Sequence, residues 1–373
     1  MTTVIEEIIK QANTVWIPKW FSLFCDPNGG FYERIDLNAT PLDHPRRVLS
    51  QCRQLIVFSR AYHEGVFSDQ EILKKSFDYI VTQYQIPDTG GFKFSLMDDH
   101  YDLYAHAFVI LMCAEYYAAS KDIRALDMAD CVHEFIQGNF VHKNGLGFYE
   151  ALGPDLSPVE KIRRQNPHMH LFEAVLAMYE ITGKAHWKNA ADHLLRLFKN
   201  HFFDSGCGVL REFFQADLTP HHQDGDIVEA GHHSEWIWLL TRYQALIGDQ
   251  EIFVQDVIPR LFDFVATHGI DGVNCGIYNL QRPDGAVVDS QKRIWPVMES
   301  LRAASILRQS HHQQAAKVYY DMLTCFERYY VDIKTGLWHE ILDQNMCVTS
   351  DYRPATTPYH IYLALLDSKS YLE

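Results

Sequence analysis

A short glycine-aromatic stretch recurs six times along the chain, and its spacing constrains the fold more than any other feature. The copies read GGFYERI around Gly30, GGFKFSL around Gly91, LGFYEAL around Gly147, CGVLREF around Gly208, CGIYNLQ around Gly276 and TGLWHEI around Gly336. Successive intervals are 61, 56, 61, 68 and 60 residues, long enough for two helices and a loop in each unit. Between the copies, apolar residues return every three or four positions, as in helices that bury one face or more. The pattern predicts twelve helices, at 4–23, 46–64, 68–85, 102–119, 122–138, 168–182, 185–201, 229–247, 249–267, 292–308, 311–330 and 357–369.

The glycine motifs fall after odd-numbered helices and before even-numbered ones, while the connections after even helices are short (GKAH, GDQE, SHHQ). One rim therefore carries all six long loops. Two even helices, containing AFVILMCAEYYAA and SEWIWLLTRYQALI, are apolar almost all round and must be surrounded by other elements. A closed ring of hairpins meets that demand. The expected fold is all-α, an (α/α)6 barrel with residues 1–373 forming a single catalytic domain; an open all-α superhelix is the competing arrangement.

With 48 acidic and 33 basic side chains the formal charge is −15, which repels phosphate backbones and anionic membranes. No apolar run reaches the roughly 18 residues of a membrane span, and MTTVIEEIIKQ lacks the basic and apolar regions of a signal peptide. The expectation is a cytoplasmic protein with neither nucleic acid nor membrane as partner. Eight cysteines without a C-x-x-C pair suit buried free thiols in a reducing compartment better than a zinc or disulfide framework. Twenty histidines together with 7 Trp, 20 Tyr and 22 Phe suit an aromatic-walled pocket for a small polar ring.

The first turns of the six even helices carry Arg53, Tyr104, His170, His232, Trp295 with Glu299, and His360, spaced 51, 66, 62, 63 and 65 residues apart. These side chains are expected to converge at the mouth. At about 100° per residue, His232 and Glu235 share a face, as do His170 and Glu173, whereas His233 and His168 point elsewhere. His170 is preferred over His168 because its place in the repeat is taken to match that of His232. His106, His133, His186 and His222 are read as satisfied core residues, Trp236 and Trp238 as packing. Trp295 is read either as packing or as a platform for a sugar.

Three histidines and a carboxylate could hold a metal, but zinc sites are usually anchored by two ligands close in sequence, and these lie about sixty residues apart. A His-Glu pair at i,i+3 also occurs in di-iron bundles, where partner glutamates accompany it; no second set is evident. The expectation is no metal. No G-x-S-x-G elbow, G-x-G-x-x-G or G-x-x-x-x-G-K-[ST] loop is present, which argues against a nucleophilic serine and against a dinucleotide or ATP cofactor. Cofactor-free proton transfer remains. Histidine can take and return a proton near neutral pH, and a cation such as Arg53 would stabilise the enediolate left by proton loss beside a carbonyl. Sugar isomerases and epimerases use that chemistry.

The ordered segments RRQNPHMHLFEA, EAGHHSEWIWLL, RIWPVMES and TPYHIY, spread over essentially the whole chain, closely resemble the N-acylglucosamine 2-epimerase family. The family includes cellobiose 2-epimerases and aldose-ketose isomerases acting on mannose. The resemblance implies metal-free catalysis by His232, with Glu235 beside it, and His360, which would remove the C2 proton of an opened sugar. In an isomerase that proton goes to C1; in an epimerase the second histidine returns one to the opposite face of C2. Arg53, Tyr104, Asn166 and His170 align with residues that hold sugar oxygens, and Trp295 with an aromatic lining the pocket.

Three departures narrow the reading. Where disaccharide epimerases carry W-K-x-P-Y-H, this chain has PATTPYH with Ala355, which resembles the monosaccharide isomerases. The F-K-G-x-F-H run of N-acyl-sugar epimerases is missing, and so is the arginine of an R-P-Y-G run before the G-H motif. The implied activity is interconversion of D-mannose and D-fructose; the alternatives are a 2-epimerase of mannose, glucose or an N-acylated amino sugar, or a sugar-binding barrel that has lost its chemistry. The expected partners are a monosaccharide substrate and, at most, a second copy of the chain in a homodimer.

Overall fold

The computed structural model describes residues 4–248 and 252–371. Its helices are α1 (Val4–Gln11), α2 (Ile17–Phe24), α3 (Val48–His63), α4 (Gln70–Tyr84), α5 (Leu103–Ser120), α6 (Arg124–Asn139), α7 (Gln165–Thr182), α8 (Ala185–Leu197), α9 (Ala230–Ile247), α10 (Ile252–Phe264), α11 (Ile294–Gln309), α12 (Ala315–Cys325) and α13 (Thr357–Ser370). A π-helical turn, Ala12–Trp16, joins α1 to α2, so one expected helix is a continuous run in three segments. Similar turns, Phe198–Phe202, Val265–Gly269 and Phe326–Tyr330, prolong α8, α10 and α12. The expected start at 249 of the helix containing α10 lies outside the described residues. Helix α7 begins at Gln165, three residues before the expected start, because Pro167 sits in its first turn, where a missing N–H breaks no helical bond.

The chain divides into two compact units. One unit holds Phe21–Phe202 and Phe213–Asp224. In it α5 packs between α3 and α7, and α4, α6 and α8 back these three in turn. Leu103 and nearly every residue from Ala105 to Tyr116 are buried, so α5 is covered on all sides, as its apolar sequence requires. The other unit holds Met1–Trp20, Phe203–Glu212 and Gly225–Glu373. There α11 packs between α9 and α13, with α10 behind α9, α12 behind α11 and α1 against α13. Within this unit Trp16 and Trp20 donate their indole N–H groups to the carbonyls of Ile333 and Gly336, both at 2.8 Å, which ties the first helical run to the last glycine loop.

Each glycine loop folds back on the helix before it through a short antiparallel pairing: Cys25 with Phe31, Gln85 with Phe92, Val141 with Phe148, Phe203 with Leu210, Ile270 with Ile277, and Val331 with Trp338. In four repeats the same residue of the loop is then clasped by the next helix. The N–H of Phe31 donates to Gln51 Oε1 at 2.7 Å, and those of Phe92, Phe148 and Leu210 donate to Nε2 of His106, His168 and His233 at 3.0, 3.1 and 3.0 Å. Each of the three imidazoles lies at its other nitrogen 2.7–3.0 Å from the carbonyl four residues earlier. That fixes the neutral tautomer with the proton on Nδ1.

Burial reinforces the choice. Desolvation holds His106 and His233 at a pKa of about 4 and His168, which also faces Arg163, at about 3. The reading of His106 as a satisfied core residue stands. His186 and His222 do not fit that reading: both are exposed, and His133 is only partly buried. Because a buried N–H left without its acceptor costs about 1–3 kcal/mol, His168→Phe is expected to lower unfolding stability by that amount. His106→Gln should cost less, since Gln51 already performs the same task in the first repeat. Paired urea denaturation curves would check the difference; equal losses would show that the loop N–H groups do not depend on these acceptors.

Candidate active site

Five of the expected site residues come together within the unit that holds α9, α11 and α13. His232 lies in the first turn of α9 with Glu235 three residues on, Trp295 and Glu299 on α11, and His360 in the first turn of α13 after Pro358. Glu340 sets the starts of two of these helices. Its carbonyl accepts the Ile294 N–H at 3.2 Å, and its carboxylate accepts the Thr357 hydroxyl at 2.7 Å.

The indole of Trp295 touches both histidines, its ring centre 5.0 Å from that of His232 and 5.7 Å from that of His360. Such close approach needs Gly231: a Cβ there would come within 2.5 Å of the Trp295 ring. Gly231→Ala is therefore expected to push the indole aside, lowering kcat about tenfold or more with little change in the melting temperature. Unchanged kinetics would remove Trp295 from the machinery.

Each histidine rests on a carboxylate through Nδ1. His232 lies 3.0 Å from Glu212 Oε2, with Glu229 at 3.8 Å, and His360 lies 2.7 Å from Glu299 Oε1. All three of His232, Glu212 and Glu299 are at least nine-tenths buried. Burial alone would lower the pKa of His232, but the charges of Glu212 and Glu229, the Glu212 hydrogen bond and the nearby Glu235 raise it to about 10. It is an imidazolium at neutral pH. Arg302 continues the second chain: it donates to Glu299 at 3.4 Å, pairs with Asp367, and lies 3.4 Å above the centre of the Trp238 ring. Trp238 is thus a platform for a buried guanidinium and not packing alone.

The charge of Glu235 is felt at His232, three residues earlier, and a carboxylate oxygen of Glu235 also lies within 4.8 Å of ligand atoms of Glu299 and His360. Among the described residues, two sets have ligand types and spacing for a divalent cation: Glu212, Glu229 and His232, and Glu235, Glu299 and His360. In both, the histidine's Nδ1 stands at hydrogen-bond distance from a carboxylate of the same set.

The other expected residues gather in the unit of α3, α5 and α7. Arg53 donates to the Tyr104 hydroxyl at 2.7 Å and lies 4.3 Å above the Phe108 ring. Tyr104 meets His170 edge to face at 5.1 Å, and His170 pairs through Nδ1 with Glu173 at 2.9 Å. Asn166 stands in the first turn of α7 with its Oδ1 buried and unpaired.

The loop clasp corrects the repeat register used to choose His170. Since His168 and His233 bind the same loop position, His170 is equivalent to Glu235, and His232 to Pro167. His168 is committed to the clasp, whereas His170 stands beside Tyr104 and Glu173. Glu212 and Arg302 were missed. A signal for Glu212 was present, because Glu33, Glu150, Glu212 and Glu340 each stand two residues beyond the paired loop residue. Glu33 and Glu150 bind the backbone N–H of Arg47 and Arg164 at the starts of α3 and α7; Glu212 binds the histidine instead.

The family model described as N-acylglucosamine 2-epimerase matches residues 30–364. A mannose-6-phosphate isomerase of Rhizobium meliloti is 29% identical, over 98% of this chain and 97% of its own. A cellobiose 2-epimerase of Dictyoglomus turgidum is 24% identical, over 91% and 90%. The crystal structure of a D-mannose isomerase superposes with a TM-score of 0.88 at 20% identity, covering 99% of this chain and 98% of that one. The fold is accordingly the all-α (α/α)6 barrel expected from the repeats.

Proposed function

The chain belongs to the N-acylglucosamine 2-epimerase family, and we propose that within it the protein is a metal-independent aldose-ketose isomerase that interconverts D-mannose and D-fructose. The observation that carries this reading is the pair of carboxylate-held histidines that both pack against Trp295. A carboxylate on Nδ1 sets the tautomer and orientation of an imidazole and leaves proton exchange with substrate to Nε2. His360 takes the proton from C2 of the open-chain aldose. The carbonyl oxygen O1 becomes an enediolate oxygen; the His232 imidazolium donates its proton to O1, and the imidazole so formed takes the hydroxyl proton of O2, which restores the imidazolium. His360 then returns its proton to C1 and the ketose forms.

Arg53, Tyr104, Asn166, His170 and Glu235 are proposed to bind the sugar, with Trp295 as the apolar wall and Glu299 holding His360. The unpaired Oδ1 of Asn166 supports its part, since a buried acceptor calls for a donor such as a sugar hydroxyl. Residues 1–373 are proposed to act as one catalytic domain. Ala355 in place of the tryptophan of disaccharide epimerases favours a monosaccharide, and four of the similar proteins are named for mannose or its 6-phosphate.

Proton NMR of the enzyme with D-mannose in D2O and EDTA tests the reading. Fructose without glucose is expected. Glucose labelled at C2 would replace it with the epimerase reading, which the cellobiose 2-epimerase relatives support. Turnover of mannose 6-phosphate alone would transfer the activity to a phosphorylated substrate, and activity lost in EDTA but restored by zinc would overturn the metal-free mechanism.

A further inference from the structure

In five of the six glycine loops the residue two before the paired position has a positive φ: Gly29, Gly90, Gly208 and Gly336 at 116°, 78°, 74° and 69°, and Cys275 at 61°. Glycine adopts this conformation freely, whereas a residue with a Cβ is strained in it. Only one loop of the five sets a side chain at that place. The thiol it carries is directed at α12, where Cys275 Sγ lies 2.7 Å from Cys325 Sγ. Two sulfur atoms in ordinary van der Waals contact lie well beyond that distance.

The surroundings differ for the two thiols. Cys275 is partly exposed and Cys325 is buried. Both line a polar cavity of about 350 Å3, together with Asp271, Lys317 and Arg328. Lys292, fully buried, pairs with Asp271 at 2.8 Å and packs its stem against the Cα of Gly276. The hydrogen bond with Cys325 and, against the effect of burial, the Lys292 charge lower the pKa of Cys275; the same hydrogen bond and burial raise that of Cys325. A partly exposed thiol of lowered pKa beside a buried partner has the asymmetry of an attacking and a resolving cysteine.

We propose that Cys275 and Cys325 form a peroxide-sensitive dithiol, a modification site that closes reversibly into an intrachain disulfide. The oxidant is a small hydroperoxide that reaches Cys275 through the cavity. The Cys275 thiolate attacks one oxygen of the O–O bond; sulfur is oxidised by two electrons to a sulfenic acid, and the other oxygen leaves as an alcohol, or as water when the oxidant is hydrogen peroxide. Cys325 sulfur then attacks the sulfenic sulfur, its proton joins the departing hydroxide, and one water is released as the S–S bond forms. A dithiol reductant reverses the modification. The proposal does not depend on the sugar chemistry, because neither cysteine belongs to the candidate site.

The full chain, reduced and freed of reductant, is treated with a small excess of hydrogen peroxide, alkylated and mapped without reduction. A peptide pair joined through Cys275 and Cys325 and lighter by two hydrogens is expected, with the free-thiol count falling by two from eight and recovering with dithiothreitol. Cys275→Gly should abolish the cross-link and keep the melting temperature of the reduced protein within about 2 °C or raise it, since glycine suits the left-handed turn. Cys325→Ser should leave a trappable sulfenic acid on Cys275. Full alkylation of both thiols after peroxide, or oxidation confined to the exposed Cys131, Cys207 and Cys347, would overturn the proposal.

Discussion

His360→Ala and His232→Ala are each expected to lower kcat on the sugar substrate by about 100- to 10,000-fold, the range for removal of a positioned acid or base, while the protein stays folded. His360 lies in the first turn of α13, and its Nδ1 partner, Glu299, keeps Arg302 when the imidazole is removed. The vacated site is wettable, so loss of the fold is not the expected outcome. The two variants should also differ. His232, whose pKa is raised to about 10, is proposed as the proton donor, so its loss is expected to be partly relieved by small imidazolium donors; His360 is proposed as the base, and its variant should lose deuterium exchange at C2 as well as product formation. Circular dichroism and solvent-exchange NMR on the same samples separate these outcomes. Wild-type turnover by either variant would sink the assignment of the pair.

The second large effect concerns stability. His106, His168 and His233 have folded-state pKa values of about 4, 3 and 4, well below the ordinary value of about 6.5 that they regain when the chain unfolds. Between those limits the unfolded chain binds protons that the folded chain refuses, so stability falls as pH drops from about 6.5 to about 4. Each group costs about 3 kcal/mol by pH 4, and the three together rival the whole stability of an ordinary domain. The opposite sign applies to His232, whose raised pKa gives stability that is present below pH 6.5 and is lost as pH rises towards 10. Stability should therefore peak near neutrality. Urea midpoints that stay level between pH 6.5 and 5 would show that the clasp histidines are not held neutral, and His106→Gln should make the acid limb shallower.

Much of this architecture was legible from the chain. A helix that is apolar all round, such as α5, can only be surrounded, and six units of nearly equal length leave few ways to surround it. Helix boundaries erred where two local signals conflicted: Pro167 reads as a break yet fits a first turn, and Trp16, Phe198, Val265 and Phe326 stand in π-helical turns that a 3.6-residue period does not reveal. The motif spacing placed His232, Trp295, Glu299 and His360 near the starts of α9, α11 and α13, but the exact register came from the clasp, which makes His232 the equivalent of Pro167.

What the sequence by itself determined was the number, order and burial of the helices, because apolar spacing and turn residues act over a few positions. Which nitrogen of which histidine meets which carboxylate was decided by the tertiary structure alone. Glu212 reaches His232 across 20 residues, Glu299 reaches His360 across 61, and Glu235 comes within 4.8 Å of that second pair. Charge interactions in a buried site depend on distances of a few ångströms, and only the packing of helices distant in sequence sets those distances.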